Sequence, residues 1–301
     1  MRQGSHRAGF VAILGRPNAG KSTLLNALVG QKLAITASRP QTTRTSIQGV
    51  LTLPDAQMVF LDTPGIHKSD SLLNKRMMDT VRASLEVDVA VFLVDSVAPF
   101  TELDAQAVDL VKKMNAPVLA VFNKVDALHE KPKILALIER YQALHEFAGY
   151  IPISALKREG LDVLRAEIVA RLPEGPALYP EEHVTDQPER FLAAEILREK
   201  ILRLTREEVP HAVAVMIESF EDTPTLLKIA ASIYVERPGQ KAILIGAGGA
   251  ALKKIGTQAR QELERIFGKK VFLQTLVKVR PRWREDPEFL AASDWRRMAG
   301  L

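Results

Sequence analysis

The stretch GRPNAGKST at 15–23 sets Gly15, Gly20, Lys21 and Ser22 at the spacing G-x-x-x-x-G-K-[ST]. Glycines let such a loop curl until successive N–H groups point inward at phosphate oxygens. Gly15, Arg16, Pro17, Asn18, Ala19, Gly20, Lys21, Ser22 and Thr23 are therefore expected to cradle a nucleoside triphosphate. Lys21 would reach the β- and γ-phosphates, and the Ser22 hydroxyl would ligate Mg²⁺. The helix that follows adds the partial positive charge of its N-terminus. DTPG at 62–65 closes an apolar run. Asp62 is placed to bind Mg²⁺ through a water, and the Gly65 N–H to meet a γ-phosphate; Thr63 and Pro64 join the nucleotide-binding set.

NKVD at 123–126 selects the base. The Asp126 carboxylate accepts two hydrogen bonds, from guanine N1–H and the N2 amino group. Adenine offers neither, a mismatch able to discriminate on the order of 10⁴. Asn123 would brace the loop, and the stem of Lys124 would pack over the base. Ser154 and Ala155, in SAL at 154–156, follow the next strand, with the Ala155 N–H aimed at guanine O6.

These four segments, in this order and each at the carboxyl end of a strand, resemble the translation-factor-related GTPases. PQTTR at 40–44 supplies that family's switch threonine, Thr43 being favoured over Thr42. The resemblance implies GTP and GDP as ligands and Mg²⁺ held by Ser22, Thr43 and Asp62. Catalysis falls to Lys21, Thr43, Gly65 and Asn18. In Ras-like proteins a glutamine after DxxG orients the attacking water. Here Ile66 stands in that place. Intrinsic hydrolysis is expected to be slow. Some members of the group with a hydrophobic residue there use K⁺, held partly by an asparagine at the position of Asn18. Such a cation would do the work of an arginine finger, worth ~10³–10⁵ in rate. His67 is a weaker candidate for a base. His6, His129, His145, His183 and His211 have no ligand-like spacing.

A second glycine loop, IGAGGAALKKIG at 245–256, lacks the GK[ST] of a phosphate-binding P-loop. Gly246, Ala247, Gly248 and Gly249 form a G-x-x-G turn between two helices, which resembles a KH module. Such a turn admits a nucleic-acid backbone closely, because no side chain stands in the way. Ile245, Lys241, Lys253 and Lys254 complete the expected RNA-binding set. Ile243, Leu244, Ile245 and Ile255 would form the groove for the bases. KH loops often carry a basic residue inside GxxG; Ala247 and Gly248 do not. Residues 237–284 hold 12 Lys+Arg against 2 Asp+Glu, whereas 181–236 hold 6 against 12. So concentrated an excess repels itself unless a polyanion is near.

A GTPase followed by a type II KH module resembles the Era family of bacterial ribosome-assembly GTPases over nearly the full chain. The segments GRPNAGKSTLLNAL, PQTTR, FLDTPGIHK, FNKVD, PISAL, TREEVPHAVAV and VERPGQKAILIGAGGAALKKIG carry the resemblance. It implies binding to the 3′ end of 16S rRNA and to the assembling 30S subunit. It also implies a cytoplasmic, monomeric protein with some peripheral membrane contact. A non-catalytic adaptor is the alternative, with GTP fixing one shape and the basic block meeting a protein or an anionic membrane. A metabolic phosphohydrolase is disfavoured, because no second substrate pocket is evident.

These residues need a scaffold. FVAILG (10–15), QMVFLD (57–62), VAVFLVD (89–95), PVLAVFN (117–123) and YIPISA (150–155) read as strands buried on both faces of a parallel sheet. Helical patterns cover Lys21 to about Leu28, 131–147 and 161–172. The fold expected for 1–176 is a doubly wound α/β P-loop GTPase domain. A linker follows at 177–188, in a proline-rich stretch that begins at Pro173. Residues 189–301 would then form a small α+β type II KH domain with a C-terminal tail. Its order is helix, strands at 211–220 and 226–236, two helices, and a strand at 271–280. The 301 residues contain no cysteine, which removes disulfides and thiol chemistry. No apolar run approaches the ~18 residues of a membrane span. The basic N-terminus lacks the apolar core of a signal peptide.

Overall fold

The computed structural model describes residues 6–37, 39, 42–66, 71–128, 130, 132–205 and 209–294. The chain divides into two compact units. The first comprises residues 1–34, 43–69 and 74–186; the second comprises 35–42, 70–73 and 187–301.

In chain order the first series of elements is β1 (Arg7–Leu14), α1 (Lys21–Val29), β2 (Ile47–Thr52), β3 (Ala56–Asp62), α2 (Leu72–Ala83), β4 (Val89–Asp95), α3 (Glu102–Val111), β5 (Val118–Asn123), α4 (Lys133–Gln142), β6 (Gly149–Pro152) and α5 (Leu161–Val169). The six strands form one sheet in the order β2-β3-β1-β4-β5-β6. All neighbours are parallel except β2, which pairs antiparallel with β3. Val11 to Leu14, Val89 to Val91 and Leu119 to Phe122 are fully buried, as unbroken apolar strands covered on both faces must be. The five strands read from sequence are present. β2 is the sixth: IQGVLT mixes polar and apolar residues, and edge pairing rather than an apolar run makes it a strand.

Parallel register brings the chemistry to one edge of the sheet. Ile13 lies beside Asp62, and Asp95 beside Asn123. The loops after β1, β3, β4, β5 and β6 therefore all open at the carboxyl ends of the strands. There the strand order reverses about β1, the usual crevice for a ligand in such sheets.

The second series is α6 (Glu189–Leu204), α7 (Val209–Ala212), β7 (Ala214–Asp222), β8 (Leu226–Val235), α8 (Pro238–Ile245), α9 (Ala250–Phe267), β9 (Lys270–Val279) and α10 (Pro287–Ala292). β7 pairs antiparallel with β8, and β8 parallel with β9. One core joins α6 residues Ile196, Leu197 and Ile201, strand residues Ile229, Ile233 and Val277, and α9 residues Ile255, Ala259 and Leu263. The sequence reading placed a strand from His211; the chain there is instead the short helix α7, begun by Val209-Pro210, and β7 starts at Ala214. Proline tolerates a first helical turn and cannot donate to a ladder, which explains the shift.

Of residues 35–42, the described ones (35–37, 39 and 42) group with the second unit although they precede Thr43. The Ile35 side chain lies in that unit's core. The Thr36 N–H donates to the fully buried Glu199 carboxylate at 2.8 Å, and the Thr36 carbonyl accepts from Arg203. The Thr42 carbonyl accepts from Arg198.

Candidate functional site

The phosphate loop runs from Gly15 to Gly20 and turns into α1 at Lys21. Gly20 has φ 99°, and a Cβ there would lie 2.3 Å from the Asn123 amide nitrogen, so only glycine fits. Lys21 and Ser22 are buried. The Lys21 ammonium donates to the carbonyls of Gly15 and Arg16 at 3.2 and 3.0 Å. Burial pulls its pKa down to about 8, against the raising influence of Asp62. Both the carbonyls and the desolvation prepare a cation that gains strongly from a nearby anion.

Three oxygens converge beside it. Ser22 Oγ lies 2.7 Å from Thr43 Oγ1 and donates to Asp62 Oδ2 at 2.6 Å; Thr43 Oγ1 lies 3.4 Å from the same carboxylate oxygen. Asp62 Oδ1 is buried and has no protein partner. Burial pushes the Asp62 carboxyl up to about 6, with Lys21, Ser22 and Thr43 opposing. Two hydroxyls and a carboxylate with a spare oxygen are hard donors, the set Mg²⁺ takes alongside waters and phosphate oxygens. The residues present therefore fit that ion.

The DTPG segment lies against the phosphate loop. A Cβ on Gly65 would meet Pro17 at 2.8 Å. The Thr63 hydroxyl turns back into the sheet and donates to the Ile13 carbonyl. Ile66 is buried in the apolar core of the first unit, and its N–H donates to the Gly15 carbonyl at 3.2 Å. Its side chain is thus packing, with no role toward water. His67 and His129 lie outside the described residues.

At the base end, Asn123 holds the loop from both sides. Its amide donates to the Ala19 carbonyl at 2.8 Å and accepts from the Ala155 N–H at 2.9 Å. The Ala155 N–H, assigned from sequence to guanine O6, is thus used by Asn123 in this structure. Ser154 Oγ donates to Asp126 Oδ1 at 2.6 Å and fixes the carboxylate that would read the base. The Lys124 ammonium bridges the Asn18 carbonyl and Asp95 Oδ2, at 2.8 and 2.6 Å. Pro64 and Thr23 flank the site, while the Arg16 side chain turns away to Asp104.

In the second unit Gly246 ends α8 with φ 71°, and Gly249 caps α9 with φ 82°. A Cβ on Gly246 would strike Ala251 at 2.7 Å, while Gly248 and Gly249 face open space. Beside this turn lies a groove of about 400 Å³, lined by Gly249, Leu252, Lys253, Gly256, Thr257 and Arg260 of the α9 face, with Leu273 and Thr275 of β9. This corrects the expected groove: Leu244 and Ile255 are fully buried in the core and present nothing to a base. Ile245 is half-buried against the same core, Ala247 and Lys254 are exposed, and Lys241 is half-buried. Of these lining residues the sequence reading named Gly249 and Lys253 alone; Leu252, Gly256, Thr257, Arg260, Leu273 and Thr275 were missed. For the helix the signal was spacing: Leu252, Gly256 and Arg260 recur every four residues, one helical face; the β9 pair carried none.

The family model "50S ribosome-binding GTPase" matches residues 10–124, and "KH domain" matches 208–284. The chain is 48% identical over 292 residues to GTPase Era of Geotalea uraniireducens, covering 96% of this chain and 98% of that protein. It is 44% identical to GTPase Era of Ruminiclostridium cellulolyticum, covering 95% and 96%. Two solved structures superpose with TM-scores of 0.93 at 43% identity, covering 96% of this chain and 99% of theirs. One is a point variant of Aquifex aeolicus Era bound to GDP and aluminium fluoride. The other is Era with MgGDPNP and nucleotides 1506–1542 of 16S ribosomal RNA. With its P-loop GTPase fold, its KH fold and relatives matched over nearly their whole length, the chain belongs to the Era family of GTPases.

Proposed function

We propose that this GTPase is a switch that binds the 3′ end of 16S rRNA and assists assembly of the 30S subunit. Residues 1–176 would carry the nucleotide chemistry and 189–301 the RNA, joined by 177–188. The observation that supports it is the position of Thr43. Its hydroxyl sits with Ser22 and Asp62, while Ile35, Thr36 and Thr42 before it are tied into the KH-bearing unit. A ligand that holds Thr43 thus acts on a segment anchored by Ile35, Glu199 and Arg198.

For hydrolysis, the N–H groups of 15–20 and the Lys21 ammonium would receive the β- and γ-phosphates. Mg²⁺ held by Ser22, Thr43 and Asp62 would draw charge from the β- and γ-oxygens. The Gly65 N–H meets the γ-phosphate, and Asp126 selects guanine. With Ile66 buried, no side chain there orients water, so intrinsic turnover is slow. We assign the missing positive charge to a K⁺ beside Asn18.

The GxxG turn would hold a single-stranded RNA backbone on its N–H groups and Lys241, Lys253 and Lys254, its bases lying along the groove of α9 and β9. The basic block would also give a weaker attraction to an anionic membrane surface. Steady-state GTP hydrolysis with and without a 3′-terminal 16S rRNA fragment, in K⁺ and in Na⁺, tests the reading. RNA and K⁺ should each accelerate turnover. Equal rates in all four conditions, with RNA binding no tighter than to scrambled RNA, would favour the adaptor.

A further inference from the structure

Arg16 belongs to the phosphate loop, yet its side chain points away from the phosphates. Its guanidinium donates to Asp104 Oδ2 at 2.6 Å and to the Pro99 carbonyl at 3.1 Å. The Asp104 side chain is 4% exposed and is a hub. Oδ2 also accepts from the Thr101 N–H and hydroxyl at 2.8 and 2.9 Å, and Oδ1 accepts from the Tyr141 hydroxyl at 3.1 Å. Thr101 and Asp104 form the capping box of α3. Burial, with the Asp104 carboxylate next to it, pushes the Tyr141 phenol far above its ordinary range, so it stays a donor. Tyr141 itself is wedged among Phe92, Phe100 and Phe122, and Arg140 lies over the Phe100 ring. The anion that Arg16 meets is therefore fixed by α3, α4 and the aromatic core together.

The loop needs such a support. Asn18 sits at φ 63°, a left-handed conformation that asparagine tolerates better than other side chains but still at some cost. Within the loop, the bond from the Ala19 N–H to the Arg16 carbonyl is long, at 3.4 Å. External ties act at Gly15, through the Ile66 N–H, and at Asn18 and Ala19, through Lys124 and Asn123. Arg16 carries the tie on the remaining side, and its carbonyl is one of the two that receive Lys21. A shift at residue 16 therefore moves both the amide array and the Lys21 ammonium.

We propose that Arg16 and Asp104 form a positioning brace that fixes the aim of the phosphate loop, with Thr101 and Tyr141 holding Asp104 in place. Arg16 serves through its side chain without touching nucleotide. The β-phosphate is common to GTP and GDP, so a misaimed loop weakens both alike, unlike a defect at Thr43, which discriminates between them.

The inference rests on the assignment of 15–22 as the phosphate loop, and Lys21→Ala checks that separately: unchanged GTP affinity in that variant overturns the assignment and not merely the brace. For the brace, affinities for fluorescent GTP and GDP are measured for wild type, Arg16→Gln, Arg16→Lys, Asp104→Asn and the Arg16→Gln/Asp104→Asn pair. Arg16→Gln and Asp104→Asn should each weaken both nucleotides about tenfold and by a common factor, with KM rising more than kcat falls. The pair should be no weaker than the worse single variant, and Arg16→Lys should recover most of the loss. Affinities within about twofold of wild type for Arg16→Gln, or additive losses in the pair, overturn the brace. Should Asp104→Asn fail to fold, Arg16→Gln decides alone, because it leaves Asp104 with its Thr101 and Tyr141 donors.

Discussion

Asp126 is exposed, and Ser154 holds one of its oxygens, so the carboxylate is set before any base arrives. Replacing Asp126 with asparagine turns one acceptor into a donor. The guanine N2 amino group then loses its acceptor and faces an N–H instead, while the 2-oxo group of xanthine gains a donor. GTP affinity should fall by about 100-fold or more and XTP affinity should rise, as competition against a fluorescent nucleotide would show. Ser22 makes a second case. Its hydroxyl joins Thr43 and Asp62, so chelating Mg²⁺ should weaken GTP binding about tenfold in the wild type and little in Ser22→Ala. Failure of the variant to lose its Mg²⁺ dependence would remove Ser22 from the ion's ligands. At this scale the sequence was legible where a loop's backbone does the work, because glycine spacing encodes backbone shape directly. It was silent about Asp104, Asp95 and Glu199. Each is an unremarkable acid in a helix or at a strand end, and only tertiary folding brings it to Arg16, Lys124 or Thr36.

Gly256 lies inside α9, where glycine costs about 1 kcal/mol relative to alanine. The protein itself does not require it, since a Cβ there would meet nothing within 4 Å. It lines the groove, so the open space serves whatever enters. Gly256→Ala should raise the thermal midpoint, through about 0.5–1 kcal/mol of added stability, and at the same time weaken RNA capture. Stabilisation with unchanged RNA affinity would show that nothing lies against this turn of α9. Buried strands β1, β3, β4 and β5 were readable because coverage on both faces forces an apolar run. β2, at the sheet edge, and α10, capped by Asp286 after Pro281 and the buried Trp283, carry no such run and depend on their neighbours. The groove was misread for a similar reason. Ile243, Leu244, Ile245 and Ile255 look like one apolar surface in sequence, but the helical period sends Leu244 and Ile255 inward.

For the whole molecule, residues 35–42 matter most. They are continuous in sequence with Thr43, and Ile35, Thr36 and Thr42 among them are tied to the unit that carries the GxxG turn. Any preference of RNA for the GTP state must be matched by an equal preference of GTP for the RNA-bound state. A Glu199→Gln variant keeps the shape of the anchor and removes its charge. The ratio of RNA affinities with GTP analogue and with GDP should then move toward one, while each nucleotide still binds. An unchanged ratio would place the coupling elsewhere. Among the described residues no helix is long and apolar enough to cross a membrane.

The most direct test is a filter-binding titration of a 3′-terminal 16S rRNA fragment against wild type and a Gly246→Asp/Gly249→Asp variant, with GTP binding followed in the same samples. Two carboxylates placed where the account puts the RNA phosphates should abolish RNA capture, by about 100-fold or more, and leave GTP held. RNA retained at wild-type affinity, or GTP lost together with it, would contradict the assignment of the two glycine loops to two different polyanions.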